Sequence, residues 1–260
     1  MREPDTQTIN LNGFATRIWR KGSGPKIGFL AGFGGLPRWV PFLDKLAETR
    51  TVIVPSLPGF PGGDRGHSVL DSHLDWVLAV HTILSEAGLA GADLAASSVG
   101  ASLALEAAAI WPETVKKLAL ISPFGLFDDN DPPEDPWAQR ADEVPSLMCH
   151  DPEIWKALKS IPEGANSVEW PIEQTRASEA AARIFWPLGN TRVAKRLHMV
   201  KAPTLLMWGE QDRIHPQSYA QRFAEGIAGK TEIKIISGAG HLAELDQPDA
   251  VANAILTWTA

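Results

Sequence analysis

The chain has 260 residues, a formal net charge of -7, 44% hydrophobic residues and 21% charged residues. This length and composition are typical of one large globular domain, or of one domain with a sizeable insertion. Nucleic acids and anionic membranes attract basic surfaces, so the negative charge argues against both as partners.

The predicted elements begin with a β-hairpin. Alternating residues in TINLNG and FATRIWRKG predict two strands joined at Asn12-Gly13. The runs KIGFLAGF and TVIVPSLPG are continuously apolar, which is typical of strands buried on both faces. Helical spacing follows in RWVPFLDKLAET, and residues 71–88 predict a second helix with Asp71 as its N-cap.

The alternation of strands and helices continues with ADLAASS, LALEAAAIW and VKKLALIS. It resumes late in the chain with PTLLMWG, PQSYAQRFAEGIA, TEIKIISGAG and a C-terminal helix. Such alternation predicts an α/β fold, with a mostly parallel central sheet and helices on both of its faces.

The rhythm breaks between the strands VKKLALIS and PTLLMWG. A Pro- and Asp-rich loop, DDNDPPEDP, is followed by helical patterns in DPEIWKALKS and SEAAARIFW. We interpret residues 124–190, called the cap segment below, as an inserted helical cap. The α/β core is then made of residues 1–123 and 191–260.

Four residues follow predicted strands directly. Ser98 follows DLAAS, Asp212 follows LLMWGEQ, His241 follows IISGAG and Phe33 follows GFLAG. Because parallel strands end at the same edge of a sheet, we expect these residues to converge there. Their chain order gives a serine nucleophile, then an acid, then a histidine base.

Four stretches carry a resemblance to the α/β-hydrolase superfamily: FLAGFGG, AASSVGASLALEAAAIWPETVKKLALIS, APTLLMWGEQDRIHP and SGAGHLAELDQP. Each is weak alone, but they occur in the family's order and cover essentially the whole chain. The resemblance implies the α/β-hydrolase fold and a Ser98-Asp212-His241 triad.

Three serines compete for the nucleophile position. The residues two before and two after a nucleophile on a strand-to-helix turn approach closely and must be small. Ser97 has a β-branched residue two positions later, and Ser102 lies inside the helix that the family spacing starts after Ser98. Ser98 has Ala96 and Gly100 as these neighbours, so we predict Ser98.

The histidine and the acid follow from the same resemblance. His241 is expected to take the proton from Ser98 and return it to the leaving group, because a serine hydroxyl is a weak nucleophile without such a base. Asp212 is expected to orient the imidazole. Glu210 is a rival acid, but Asp212 matches the family's G-x-x-D turn.

The oxyanion hole is expected to consist of the backbone N–H groups of Val99 and Phe33. Family members commonly have His-Gly where this chain has Ala31-Gly32, which removes a partner that braces the loop. The cap segment is rich in aromatic residues, which suggests an apolar acyl or alcohol group. The residues predicted to bind substrate are Gly32, Phe124, Trp137, Trp155 and Trp186.

The remaining histidines have no metal-ligand spacing, so we predict neither a metal site nor a cofactor. They are interpreted as surface or helix residues: His67, His73, His81, His150, His198 and His215.

The leading predicted activity is hydrolysis of a small-molecule carboxylic ester. Carbon–carbon bond hydrolysis of the meta-cleavage-product type shares fold, cap and triad, but those enzymes often carry Asn and Trp where this chain has Ser97 and Leu242. A lactonase, a thioesterase, a cofactor-free haloperoxidase-like enzyme, a slowly turning ligand receptor and an inactive hydrolase are further alternatives. A single cysteine, Cys149, and the lack of an apolar leader favour a cytoplasmic location.

Overall fold

The structure is a computed structural model that describes residues 3–186 and 190–260. An eight-stranded sheet forms its centre, in the order β1-β2-β4-β3-β5-β6-β7-β8. The strands are β1 Asp5–Leu11, β2 Phe14–Lys21, β3 Lys26–Leu30, β4 Thr51–Pro55, β5 Ala92–Ser97, β6 Val115–Ile121, β7 Thr204–Gly209 and β8 Thr231–Ile236. The pairs β1–β2 and β2–β4 are antiparallel, and the pairs from β4–β3 to β7–β8 are parallel.

Helices connect the parallel strands, as crossovers between parallel neighbours require. They are α1 Pro41–Ala47, α2 His73–Glu86, α3 Ser98–Ile110, α4 Val144–Met148, α5 Pro152–Lys159, α6 Glu169–Phe185, α7 Ser218–Gly226, α8 Ala243–Asp246 and α9 Pro248–Thr259. The predicted mostly parallel α/β sheet is confirmed. No α-helix in the described residues is both long and apolar enough to cross a membrane.

The first hairpin turns at the predicted residues. Leu11 pairs with Phe14, and the two residues between them have positive φ, 52° at Asn12 and 93° at Gly13. Asparagine and glycine tolerate this left-handed conformation best, which is why the dipeptide marks the turn.

The N-cap predicted for α2 is wrong by one residue. Ser72, not Asp71, caps the helix: its hydroxyl accepts the Asp75 N–H, and the Asp75 carboxylate accepts the Ser72 N–H in return. This reciprocal capping box satisfies two N–H groups that the helix leaves without partners, which Asp71 could not do from one position earlier.

Strand β5 and helix α3 form the most deeply buried connection of the fold. All residues of α3 from Ser98 to Ala109 are buried, so the helix lies between the sheet and other elements. A Cβ on Gly100 would stand 2.6 Å from the Ala31 carbonyl oxygen and 2.7 Å from that of Leu30. Only glycine lets α3 approach the end of β3 this closely.

In its described residues the cap segment contains α4, α5 and α6 and no strand. The α4 end is joined to the loop after β8, since the Met148 carbonyl accepts the Leu242 N–H at 2.8 Å. The Asp246 carboxylate accepts the N–H groups of Gly240, His150 and Asp151. These bonds fix the loop that carries His241 against the cap segment.

Candidate active site

Ser98 is the first residue of α3 and follows β5 directly. Its φ is 51°, a left-handed conformation that costs a non-glycine residue free energy. The surrounding packing holds this turn, because Ser98 is completely buried. The turn places the Ser98 hydroxyl at the carboxyl edge of the sheet.

The Ser98 hydroxyl, the His241 ring and the Asp212 carboxylate form a hydrogen-bonded chain. Ser98 Oγ lies 2.8 Å from His241 Nε2, and His241 Nδ1 lies 3.1 Å from Asp212 Oδ2 and 3.2 Å from Oδ1. Asp212 and His241 follow β7 and β8, so three strand ends supply one cluster. The side chains of His241 and Asp212 have 0% exposure.

Asp212 is set up to remain a carboxylate. Burial by itself raises the pKa of Asp212, but the His241 ring and the His215 N–H lower it below its ordinary value. The N–H groups of Ile214 and His215 both reach Asp212 Oδ1 at 2.9 Å. A carboxylate held this way accepts the Nδ1–H of His241 and leaves Nε2 free to accept a proton from Ser98.

The predicted oxyanion donors stand on either side of Ser98. Val99 is the second residue of α3, where N–H groups lack intrahelical acceptors. Phe33 lies in a turn closed by the Gly35 N–H and the Gly32 carbonyl at 2.9 Å. A Cβ on Gly32 would stand 2.9 Å from Ser98 Cβ, so glycine allows the turn to pack against the serine.

Residues 29–254 match the profile of the alpha/beta hydrolase family. The chain belongs to this family. The resemblance to it that the sequence motifs indicate is therefore confirmed, together with the fold class.

Two curated relatives span nearly the whole of this alpha/beta hydrolase. A 2-hydroxy-6-oxo-6-phenylhexa-2,4-dienoate hydrolase from Comamonas testosteroni is 27% identical over 92% of this chain and 89% of its own length. A dihydrolipoyllysine-residue acetyltransferase component of an acetoin cleaving system from Cupriavidus necator is 26% identical over 93% of this chain. The chain spans only 65% of the length of this second relative.

Solved structures share the fold. A dienoate hydrolase of the same name from Rhodococcus sp. strain RHA1 superposes with a TM-score of 0.77, at 21% identity over 98% of both chains. Naproxen esterase from Bacillus subtilis superposes with a TM-score of 0.73, at 16% identity over 99% of this chain and 92% of that one. Enzymes named for carbon–carbon and for ester substrates thus have this architecture.

The rival residues of this alpha/beta hydrolase lie elsewhere. Glu210 is exposed and accepts hydrogen bonds from the Ser237 hydroxyl and the Gly238 N–H. Ser102 donates its hydroxyl to the Phe124 carbonyl, one turn into α3. Ser97 is buried behind Gly32. His241 has its hydrogen bonds to Ser98 and Asp212 instead.

Three of the predicted substrate-binding aromatics pack at the site. The Phe124 ring centre is 5.4 Å from that of His241. Trp137 and Trp155 pack against Phe33, with ring centres 4.9 and 6.3 Å from it. Trp186, by contrast, is 58% exposed at the end of α6, so its placement in the substrate pocket is wrong. The helix ends before Trp186 turns inward.

Two further histidines were assigned the wrong environment. His215 is 0% exposed and lies outside the helices, and His67 is 3% exposed. The His215 ring lies between Phe124 and Tyr219, with ring centres 5.1 and 4.4 Å away. Burial lowers the pKa of His215 to about 3, so the ring is neutral. Its position three residues after Asp212, in the turn that caps the acid, is the signal that sequence analysis passed over.

Glu244 is a second buried acid that the motifs did not indicate. It is 2% exposed on α8, three residues after His241. Burial raises the pKa of Glu244 to about 7, against the opposing effects of Ser97 and His241. No group of three or more His, Cys, Asp or Glu side chains that could hold a metal ion occurs in residues 3–186 and 190–260.

Proposed function

We propose that this chain is a serine hydrolase that cleaves carboxylic esters of apolar small molecules through an acyl-enzyme. The observation that supports it is the hydrogen-bonded chain from Ser98 Oγ through His241 to Asp212, placed beside the N-terminus of α3. A serine hydroxyl gains nucleophilicity when a positioned base accepts its proton.

The proposed reaction has two halves. Ser98 Oγ attacks the ester carbonyl carbon while His241 Nε2 takes the hydroxyl proton, and the N–H groups of Phe33 and Val99 receive the developing oxyanion. His241 then protonates the departing alcohol, and the acyl group stays on Ser98. Water attacks the acyl-enzyme with His241 as base, and the acid leaves. Asp212 stabilises the imidazolium in both halves.

An apolar substrate is favoured by the surroundings of Ser98. The rings nearest the site belong to Phe33, Phe124, Trp137 and Trp155. The arginines of the cap segment and its return are directed elsewhere. Arg183 pairs with Glu179, Arg192 is exposed, and Arg176 donates to the Gly59 carbonyl.

Carbon–carbon hydrolysis of a dienoate is the second candidate, favoured by the Comamonas testosteroni relative of that name. A dienoate must ketonise before the bond breaks, and its carboxylate needs a polar or cationic holder near the nucleophile. Ser97 and Leu242 adjoin the serine and the histidine, and neither carries charge. The nearest cation to the Phe33 turn is Lys159, and its ammonium is bonded to backbone carbonyls.

Steady-state kinetics on both substrate classes, with one preparation, test the proposal. We expect measurable kcat/KM on short or medium acyl and aryl esters, with dienoate cleavage much slower. A dienoate preference of about a hundredfold, worth roughly 2.7 kcal/mol in transition-state stabilisation, would overturn the ester assignment. Lactone and thioester substrates belong in the same panel.

Covalent labelling identifies the nucleophile separately from the substrate. A fluorophosphonate probe should modify wild type at Ser98 and fail to modify Ser98→Ala. Ser102→Ala is the matched control, because it removes a buried hydroxyl from the same helix that donates to a carbonyl. An adduct mapped to Ser102 by mass spectrometry would contradict the assignment.

A further inference from the structure

Lys159, the last residue of α5, reaches the turn that carries Phe33. Its ammonium donates to the carbonyl oxygens of Gly34 at 3.2 Å and Gly35 at 3.3 Å. The same ammonium lies 4.7 Å from the ring centre of Trp155. A cation over an aromatic face with two carbonyl acceptors is held in one place.

The turn that Lys159 contacts has little restraint of its own. Gly34 and Gly35 both have positive φ, 69° and 66°. One backbone hydrogen bond, from the Gly35 N–H to the Gly32 carbonyl, closes it. Glycines in this conformation have many alternatives, so a side chain that grips both carbonyls narrows the orientations of the neighbouring peptide groups. The Phe33 N–H belongs to that same turn.

The end of α5 is itself anchored on both sides. The Lys159 carbonyl accepts the indole N–H of Trp170 at 2.9 Å, and the next carbonyl, of Ser160, accepts the Arg38 guanidinium. Arg38 follows the Phe33 turn in the chain. The position of Lys159 is therefore fixed by the cap segment and by the core together.

We propose that Lys159 is a positioning residue for the oxyanion hole, through which the cap segment holds the Gly32–Gly35 turn so that the Phe33 N–H faces the carbonyl attacked by Ser98. This inference rests on the proposed acyl-transfer function. Ser98 and His241 are completely buried, so substrate enters only when the cap segment moves away. Closure of α5 onto the turn would then restore the donor at the moment the substrate is enclosed.

The charge of Lys159 gives this arrangement a pH signature. Burial lowers the pKa of Lys159 to about 7, and Glu173 on α6 opposes part of that effect. Arg38 is the other charged group facing the end of α5. Above neutral pH the ammonium loses its charge and one of three donors, which weakens its hold on the two carbonyls.

Labelling by a neutral fluorophosphonate tests the inference without any substrate. Phosphonylation needs the nucleophile and the oxyanion donors, but no carboxylate holder. We expect Lys159→Met to slow labelling of Ser98 by at least about tenfold, with a matching fall in kcat on esters and little change in KM. Lys159→Arg, which keeps a cation and several donors, should recover part of the loss.

Lys156→Met is the matched control. Lys156 lies on the same helix but is half-exposed and pairs with Glu153. It should label at the wild-type rate, and circular dichroism should show that all three variants are folded. The labelling rate of wild type should decline from its maximum as pH rises through about 7, relative to Lys159→Met, which should lack this decline.

The outcomes separate this inference from the proposed function. No labelling of wild type at Ser98 would refute both. Wild-type labelling with an unchanged rate in folded Lys159→Met would refute the positioning role alone. If, in addition, KM for the dienoate rose in that variant, Lys159 would be a holder of substrate carboxylate instead.

Discussion

Replacing the buried His215 should change how the stability of this protein depends on pH. The ring is 0% exposed among Phe124, Trp208 and Tyr219, and both ring nitrogens are without a hydrogen-bond partner. Burial lowers the pKa of His215 from 6.5 to about 3 in the folded chain. Below pH 6.5 the unfolded chain therefore binds a proton that the folded chain excludes.

The sign and magnitude follow from this difference in proton binding. Since the unfolded state binds more protons, the free energy of unfolding falls as pH decreases from 6.5 towards 3. Each pH unit in this range lowers it by about 1.4 kcal/mol. At about pH 4.5, His215 alone should have lowered the stability of wild type by roughly 3 kcal/mol, relative to neutral pH.

His215→Phe removes the titration and keeps a ring in the aromatic cluster. The larger ring can cost about 1–3 kcal/mol through overpacking, but that cost is independent of pH. The main-chain carbonyl of residue 215, which accepts the Trp208 indole N–H at 2.9 Å, is preserved. Chemical denaturation at several pH values should show the variant gaining roughly 3 kcal/mol relative to wild type between about pH 7 and about pH 4.5.

The matched control is His198→Phe. His198 is exposed, so this change should leave the slope of unfolding free energy against pH close to that of wild type. Parallel pH curves for wild type and His215→Phe would refute the reasoning, because they would mean that His215 takes up its proton in the folded chain as readily as in the unfolded one.

Two further predictions concern the site. Asp212→Asn should lose most of the activity, at least about a hundredfold in kcat, because an amide cannot stabilise the His241 imidazolium, whereas Glu210→Gln should retain wild-type kinetics on the same ester. If Glu210→Gln were the more damaging change, the acid would be misassigned. Gly32→Ala would place a methyl group 2.9 Å from Ser98 Cβ and from Leu242 Cδ2, so kcat should fall at least about tenfold while thermal unfolding remains cooperative. Wild-type kcat in this variant would show that the turn tolerates displacement.

The sequence by itself determined the order of strands and helices and the residues at the strand ends. Period-two and continuous apolar runs specify strands, and small residues around Ser98 specify a tight strand-to-helix turn. In a parallel sheet all such ends share one edge, so the meeting of Ser98, Asp212 and His241 could be expected before any coordinates. These signals are local, and one topological rule extends them.

The tertiary structure alone decided which side chains surround that edge. His215 and Trp186 resemble surface and pocket residues in composition, yet the first is buried behind Asp212 and the second is 58% exposed. Lys159 lies more than 120 positions from the glycines whose carbonyls it binds, 125 from Gly34 and 124 from Gly35. Such contacts depend on how the cap segment packs onto the core, and no periodicity within either segment encodes that packing.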